Sequence, residues 1–155
     1  MLLCYCGTAF GWGKSGHDAI AYIAECNLTP KAKKNIEKYL DGRSIVYYAS
    51  WMDVYRHTPA YKVTSGWHGD RVDADGKYVP NAKGDALQCI EEAISRLKDY
   101  RSLDDSTVLV SIKYLVHLVG DMHCPVHVKY PWYKNFKFDL NGRPSEFHSF
   151  WDSGV

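Results

Sequence analysis

No two cysteines of this chain form a CxxC pair, no charge of one sign dominates, and no apolar run is long enough to cross a bilayer. Each absence narrows the function. Without CxxC pairs a zinc site built on thiolates has no basis. A net charge of +1 leaves no global field to draw in long duplex nucleic acid or an anionic membrane, so an anionic substrate has to be held locally. The five cysteines, Cys4, Cys6, Cys26, Cys89 and Cys124, fall to three once the first eleven residues are set aside, enough for one disulfide at most. Internal repeats, linkers and low-complexity tracts are also lacking. With 155 residues, 46% apolar and 24% charged, the chain suits one globular domain.

What is present is helical periodicity. Residues 1–11, "MLLCYCGTAFG", are apolar and end in a small-x-small pattern; they read as the remnant of an export leader, which implies a secreted or periplasmic protein. The alternative is a buried amino-terminal strand. From Ser15 to Cys26 apolar residues recur at helical spacing, and "LTPKAKKNIEKYL" opens a second helix with Thr29 as N-cap and Pro30 at its first position. Gly42 ends it. "SIVYYASWMDVYR" predicts one continuous third helix stopping before Pro59, and residues 59–84 read mainly as loop. A helix capped by Asp85 and the largely apolar "DDSTVLVSIKYLVHLVGDM" follow, the latter placed to cross the centre of the fold until Pro125 ends or bends it. Asn141-Gly142 marks a small hairpin or a loop, and "SEFHSFWD" predicts a last helix capped by Ser145. The fold class is all-α, a single helical domain over residues 12–155.

The polar residues that stand out lie on these helices. His117 and Asp121 are four apart, which puts a nitrogen and an oxygen ligand on one helix face, and His148 and Asp152 repeat the spacing. Asp53 sits in the apolar setting "ASWMDVYR", where an unpaired carboxyl would have a raised pKa. His127 lies just beyond Pro125, His68 follows Trp67, and His17 opens the first helix. Any one of these histidines alone is more often a hydrogen-bonded core residue. Five histidines and three aspartates spread over several elements point instead to metal, because a cation compensates the burial of each ligand.

"WGKSGHDAIAYIAECNLTPKA", "ASWMD", "GWHGD", "LVHLVGDMHCPVH" and "HSFWDSG" occur in the order seen in the mung bean nuclease family, and the chain resembles that family from Trp12 to Gly154. These are secreted zinc-dependent nucleases and 3′-nucleotidases acting on single strands, distantly similar to bacterial zinc phospholipase C. The resemblance implies an α-helical fold with three zinc ions. Asp53, His68, His117 and Asp121 would hold one. A second would share Asp121, take His17, and use the amine and carbonyl of Trp12 once cleavage after Gly11 makes it the first residue. The third would take His127, His148 and Asp152. His57 and His123 are left without a metal role. The implied chemistry is in-line attack at phosphorus by a zinc-activated hydroxide on single-stranded RNA, DNA or 3′-nucleotides, with Asp53 and Arg56 as catalytic residues and Arg56 neutralising phosphate charge.

Three departures from the family accompany the match. Its base-clamping aromatic and acid after "WH" are replaced by Gly69, Asp70 and Arg71. Its glycine-rich stretch after the "PLH" motif is replaced by "KYPWYKNFKFD". The family continues with further helices, whereas this sequence ends at Val155. Two other functions fit the same ligands: a phosphodiesterase on lipid headgroups, whose family closes its last site with HxxxE rather than the HxxxD found here, and a non-catalytic zinc-binding helical protein.

Overall fold

Short side-chain oxygens set where the helices begin. The computed structural model describes residues 13–153, so the readings that fall on residues 1–12, the export leader and Trp12 among them, lie outside it. Helix α1 spans Lys14–Cys26. Helix α2, Pro30–Tyr39, starts as expected, with Thr29 Oγ1 accepting from the Ala32 N–H at 3.2 Å and Pro30 at the first position. Helix α4, Ala86–Lys98, is capped by Asp85, whose carboxylate accepts from the Gln88 N–H at 3.0 Å. Helix α5, Asp105–Met122, is capped by Asp104 through the Thr107 N–H at 2.9 Å.

The third helix is not continuous. A 3₁₀ turn at Ile45–Tyr48 is followed, after Ala49 and Ser50, by the short helix α3, Trp51–Tyr55. The run Ile45-Val46-Tyr47-Tyr48 is β-branched and aromatic, which disfavours an α-helix, and the Ser44 hydroxyl accepts from the Val46 N–H at 3.0 Å, a local bond that competes with the helical ladder. At the break the Ala49 carbonyl faces α5.

The fold is helical with two very small sheets. The stretch between Pro59 and Gly84 carries strand β1, Asp70–Arg71, which pairs in parallel with β2, Val128–Lys129, a pairing that periodicity did not announce. The Asn141-Gly142 segment forms a hairpin of β3, Lys137–Leu140, and β4, Arg143–Glu146. Asn141 and Gly142 have φ values of 53° and 80°, the left-handed pair that a two-residue primed turn needs. Helix α6, Phe147–Ser153, begins one residue later than a cap at Ser145 would place it, because Ser145 is held in the β4 ladder opposite Phe138. The side chain of Asn135 accepts from the His148 N–H at 2.9 Å in the first turn of α6 instead.

Helix α5 crosses the centre. One face packs Val108 and Ile112 against Ala21, Leu40, Ile45 and Ala49, and Leu118 joins Met52, Ala86 and Cys89 in a second apolar cluster. Cys26, Cys89 and Cys124 are all free thiols. No helix among the described residues is long and apolar enough to cross a membrane.

Candidate metal centre

The carboxy-terminal end of α5 brings His117 and Asp121 into the core with no exposure at all. Around them gather His17 from α1, Asp53 from α3, His68 from the loop before β1, His127 after Pro125, and His148 with Asp152 on α6. Asp121 is the hub. One oxygen lies 3.4 Å from His17 Nε2 and 3.1 Å from His127 Nδ1, and the other 3.0 Å from His68 Nδ1 and 3.3 Å from His117 Nε2. Asp53 stands at 3.7 Å from His17 Nε2, 3.7 Å from His68 Nδ1 and 3.9 Å from His117 Nε2. Asp152 faces His148 Nε2 at 2.9 Å and His127 Nε2 at 3.5 Å. All eight described residues of the expected set converge. Trp12 lies outside the described residues. Its neighbour Gly13 donates its N–H to the Asp152 carbonyl, so the chain enters α1 beside the cluster.

This close approach of α1 depends on Gly120, which sequence reading passed over. A Cβ there would stand 2.7 Å from His17 Nδ1, so only glycine lets the imidazole lie against α5. The His17 and His117 rings stack at 4.1 Å between centroids. The Ala49 carbonyl at the break before α3 accepts from His117 Nδ1 at 2.7 Å. A carbonyl can only accept, so Nδ1 carries the proton and Nε2 presents its lone pair to the cluster. His148 has a comparable support in the Tyr133 hydroxyl, 3.3 Å from Nδ1.

Hydrogen bonding alone does not satisfy this cluster. Among the described residues eight buried side-chain nitrogen or oxygen atoms lack a hydrogen-bond partner, and all but Ser50 Oγ belong here: both nitrogens of His17, both oxygens of Asp53, His68 Nε2, Asp121 Oδ1 and His127 Nδ1. Buried polar groups without partners cost stability, and such atoms aimed at one another are what a bound cation would satisfy. Two triads, His17 with Asp53 and His117, and His68 with His117 and Asp121, offer ligand atoms within 4.8 Å of one another. A third triad of this kind is Cys124, His127 and Asp152. Cys124 was missed, although it stands inside the "HLVGDMHCPVH" motif. Burial pushes its thiol up to about 12, so it acts as a donor, with Sγ 3.7 Å from Asp152 Oδ1.

The histidines differ in protonation. Burial lowers the His68 pKa despite its bond to Asp121. For His127 burial also acts downward, but the carboxylates of Asp121 and Asp152 outweigh it and raise it to about 9. His117 is raised for the same reason, by Asp121 and Asp53 against burial. Burial would raise Asp121, yet the imidazoles of His117, His127, His17 and His68 gathered around it hold it well below the carboxylate range. His123 donates from Nδ1 to the Val119 carbonyl at 2.7 Å and plays no part in the cluster.

A cavity of about 340 Å³ opens onto the cluster, with Arg56, His68, Arg71, His127, Lys129 and His148 in its wall. Arg56 Nη1 lies 3.5 Å from Asp53 Oδ1, at the inner end. Gly69 is fixed by the β1–β2 pairing: a Cβ there would stand 2.6 Å from the His127 carbonyl oxygen. The wall has no room for a side chain at this position.

Comparison with known proteins agrees with this geometry. A family model described as S1/P1 Nuclease matches residues 12–155. The chain is 26% identical to Nuclease S1 of Aspergillus oryzae, over 94% of this chain and 55% of that protein. It is 29% identical to Nuclease P1 of Penicillium citrinum, over 92% and 57%, and 26% identical to Endonuclease 2 of Arabidopsis thaliana, over 94% and 56%. The chain spans about half the length of these curated relatives.

Proposed function

The chain belongs to the S1/P1 nuclease family, and on that premise we propose that it is a zinc-dependent phosphoester hydrolase that cuts single-stranded RNA and DNA and releases phosphate from 3′-nucleotides. The observation that carries this reading is the set of buried ligand atoms without hydrogen-bond partners where these elements meet, among them His17 Nε2, both oxygens of Asp53, Asp121 Oδ1 and His127 Nδ1. Imidazole nitrogens and carboxylate oxygens are the donor set zinc prefers in the absence of thiolates. Asp53, His68, His117 and Asp121 would hold one ion. Asp121 and His17, with the Trp12 amine and carbonyl, would hold a second, and His127, His148 and Asp152 a third. Zinc in such sites acidifies water and draws charge from a phosphoryl oxygen.

The chain's own residues supply the rest. The Ala49 carbonyl and the Tyr133 hydroxyl fix the rings of His117 and His148. Asp121, unprotonated at neutral pH, can offer one oxygen to each of two sites. Arg56, at the inner end of the cavity, neutralises charge on the phosphate that enters it. The absence of a side chain at Gly69 removes the aromatic base clamp of the family, which favours weak base preference.

Export and cleavage before Trp12 belong to the same proposal. An amide nitrogen has no available lone pair, whereas a terminal amine has one once deprotonated. Hydrolysis of 3′-AMP, single-stranded DNA and phosphatidylcholine with zinc present, by a chain starting at Trp12 and by one with an added residue before it, tests all of this. The reading expects activity on both nucleotide substrates, faster from the Trp12 chain. Activity on the lipid alone would replace it with the phosphodiesterase alternative, and zinc binding without any activity with the non-catalytic one.

A further inference from the structure

Arg71 and Lys129 are register partners in the parallel β1–β2 pair, so their side chains leave the ladder side by side. Both are exposed, and both line the cavity that leads to His68, His127 and His148. Among the described residues neither forms an ion pair with a carboxylate. The acids in the same cavity wall, Asp70, Asp85 and Asp152, are engaged elsewhere, Asp152 with His127 and His148. Asp70 accepts from the Leu87 N–H at 3.1 Å. Asp85 accepts from the N–H groups of Asn81 and Gln88 at 2.8 and 3.0 Å and from the Tyr78 hydroxyl. The cavity therefore carries cations at two depths: Arg56 beside Asp53 at its inner end, and the Arg71–Lys129 pair at its lip. Its volume of about 340 Å³ is that of a small-molecule site, room for one nucleotide rather than a duplex. A mononucleotide with a single phosphate can be held at the inner end, which leaves two cations without an ion-pair partner where a neighbouring phosphate of a longer strand would pass.

We infer that Arg71 and Lys129 form a subsite for a second, non-scissile phosphate, and that the ligand it selects is a phosphodiester-linked single strand of two or more nucleotides. The inference rests on the reading of the His/Asp cluster as a phosphoester hydrolase. It also gives a consequence to the Gly69-Asp70-Arg71 departure: contact energy moves from the base, which Gly69 cannot clamp, to the backbone, which Arg71 can. Recognition through phosphates is blind to sequence and sensitive to salt.

The test is fluorescence anisotropy of a labelled oligothymidylate of about eight nucleotides, across about 50 to 200 mM salt. It is run on the chelated full chain and on the zinc-supplemented chain with a phosphorothioate strand that resists cutting. Single-strand binding loses about 0.7 of slope in log affinity against log salt for each phosphate contact. The variant Arg71→Gln/Lys129→Gln removes that one contact and should therefore lose about 0.7, with Arg71→Lys/Lys129→Arg close to wild type. In hydrolysis the Gln variant should raise KM for the oligonucleotide about 10-fold while KM for 3′-AMP moves less than about twofold. An unchanged slope with the fold intact by circular dichroism, no strand binding by the wild-type chain, or an equal rise in KM for 3′-AMP would each overturn the subsite. A slope that falls while neither substrate is cut would overturn the hydrolase reading and leave the subsite standing.

Discussion

The chain uses the same His-xxx-Asp spacing twice and obtains two different environments. On α5, His117 and Asp121 have side chains with no exposure, and the carboxylate meets four imidazoles. On α6, the His148 side chain keeps 31% of its surface and Asp152 faces two. The spacing on its own supplies only a pair of ligands on one face. The depth comes from the element that carries it. Helix α5 runs through the core and is flanked by α1, α3 and α4, while α6 is a seven-residue helix that follows a hairpin and receives its first-turn partner from Asn135. The inner pair thus serves as a fixed hub, and the outer pair lines the cavity.

Substitutions at equivalent positions sharpen this contrast. Asp121→Asn should cause the largest loss, well beyond about 100-fold in zinc affinity, because it removes one charge from two sites and leaves four imidazoles without their anion. Asp152→Asn or His148→Ala should remove about one ion per chain and leave the inner sites filled. Calorimetric titration of zinc into chelated protein distinguishes the two; equal losses from both would break the comparison.

Gly120→Ala comes next. Its Cβ, 2.7 Å from His17 Nδ1, forces α1 or the ring aside, at a cost of about 1–3 kcal/mol, readable as a lower denaturant midpoint together with weaker zinc binding. An unchanged midpoint would mean that α1 does not need this close approach.

A pH series separates the metal-free from the loaded protein. His127 titrates at about 9 in the fold against an ordinary value of 6.5. Its protonation therefore stabilises the metal-free fold fully below pH 6.5, and that contribution is lost as pH rises through about 9. His117, also raised, acts with the same sign. A ligating imidazole must be deprotonated, so zinc binding strengthens over the same window. Thermal melts should show the chelated chain losing Tm from pH 6.5 to 9 and the zinc-loaded chain not losing it. Parallel slopes would contradict a metal at His127. The smallest effect is expected from Cys124→Ala, which removes the weak S–H donor 3.7 Å from Asp152: a loss of about 10-fold at most in affinity, confined to the outer site.

What the sequence announced and what it concealed divide along physical lines. Thr29 and Asp85 were readable as caps because capping is a contact over three residues, and the His-xxx-Asp pairs were readable because helical spacing is local. The ordered motifs singled out, before any coordinate, the eight side chains that converge. The roles of Gly120 and Gly69 were not, since each is set by a neighbour distant in the chain, His17 and the His127 carbonyl. Two-residue strands carry no periodicity, so the pairing of Arg71 with Lys129 was invisible, and with it the cationic lip of the cavity. The break at Ala49 was overlooked for a related reason: its β-branched and aromatic run also satisfies a helical pattern, and the partner that uses the exposed carbonyl, His117, is 68 residues away.

The central claim is that eight side chains converge because they hold cations. Elemental analysis of the chain starting at Trp12, purified and dialysed without chelator, tests it most directly. The account predicts about three zinc ions per chain for the wild type and about two for His148→Ala. A zinc content near zero in protein whose circular dichroism matches a folded helical domain would contradict it.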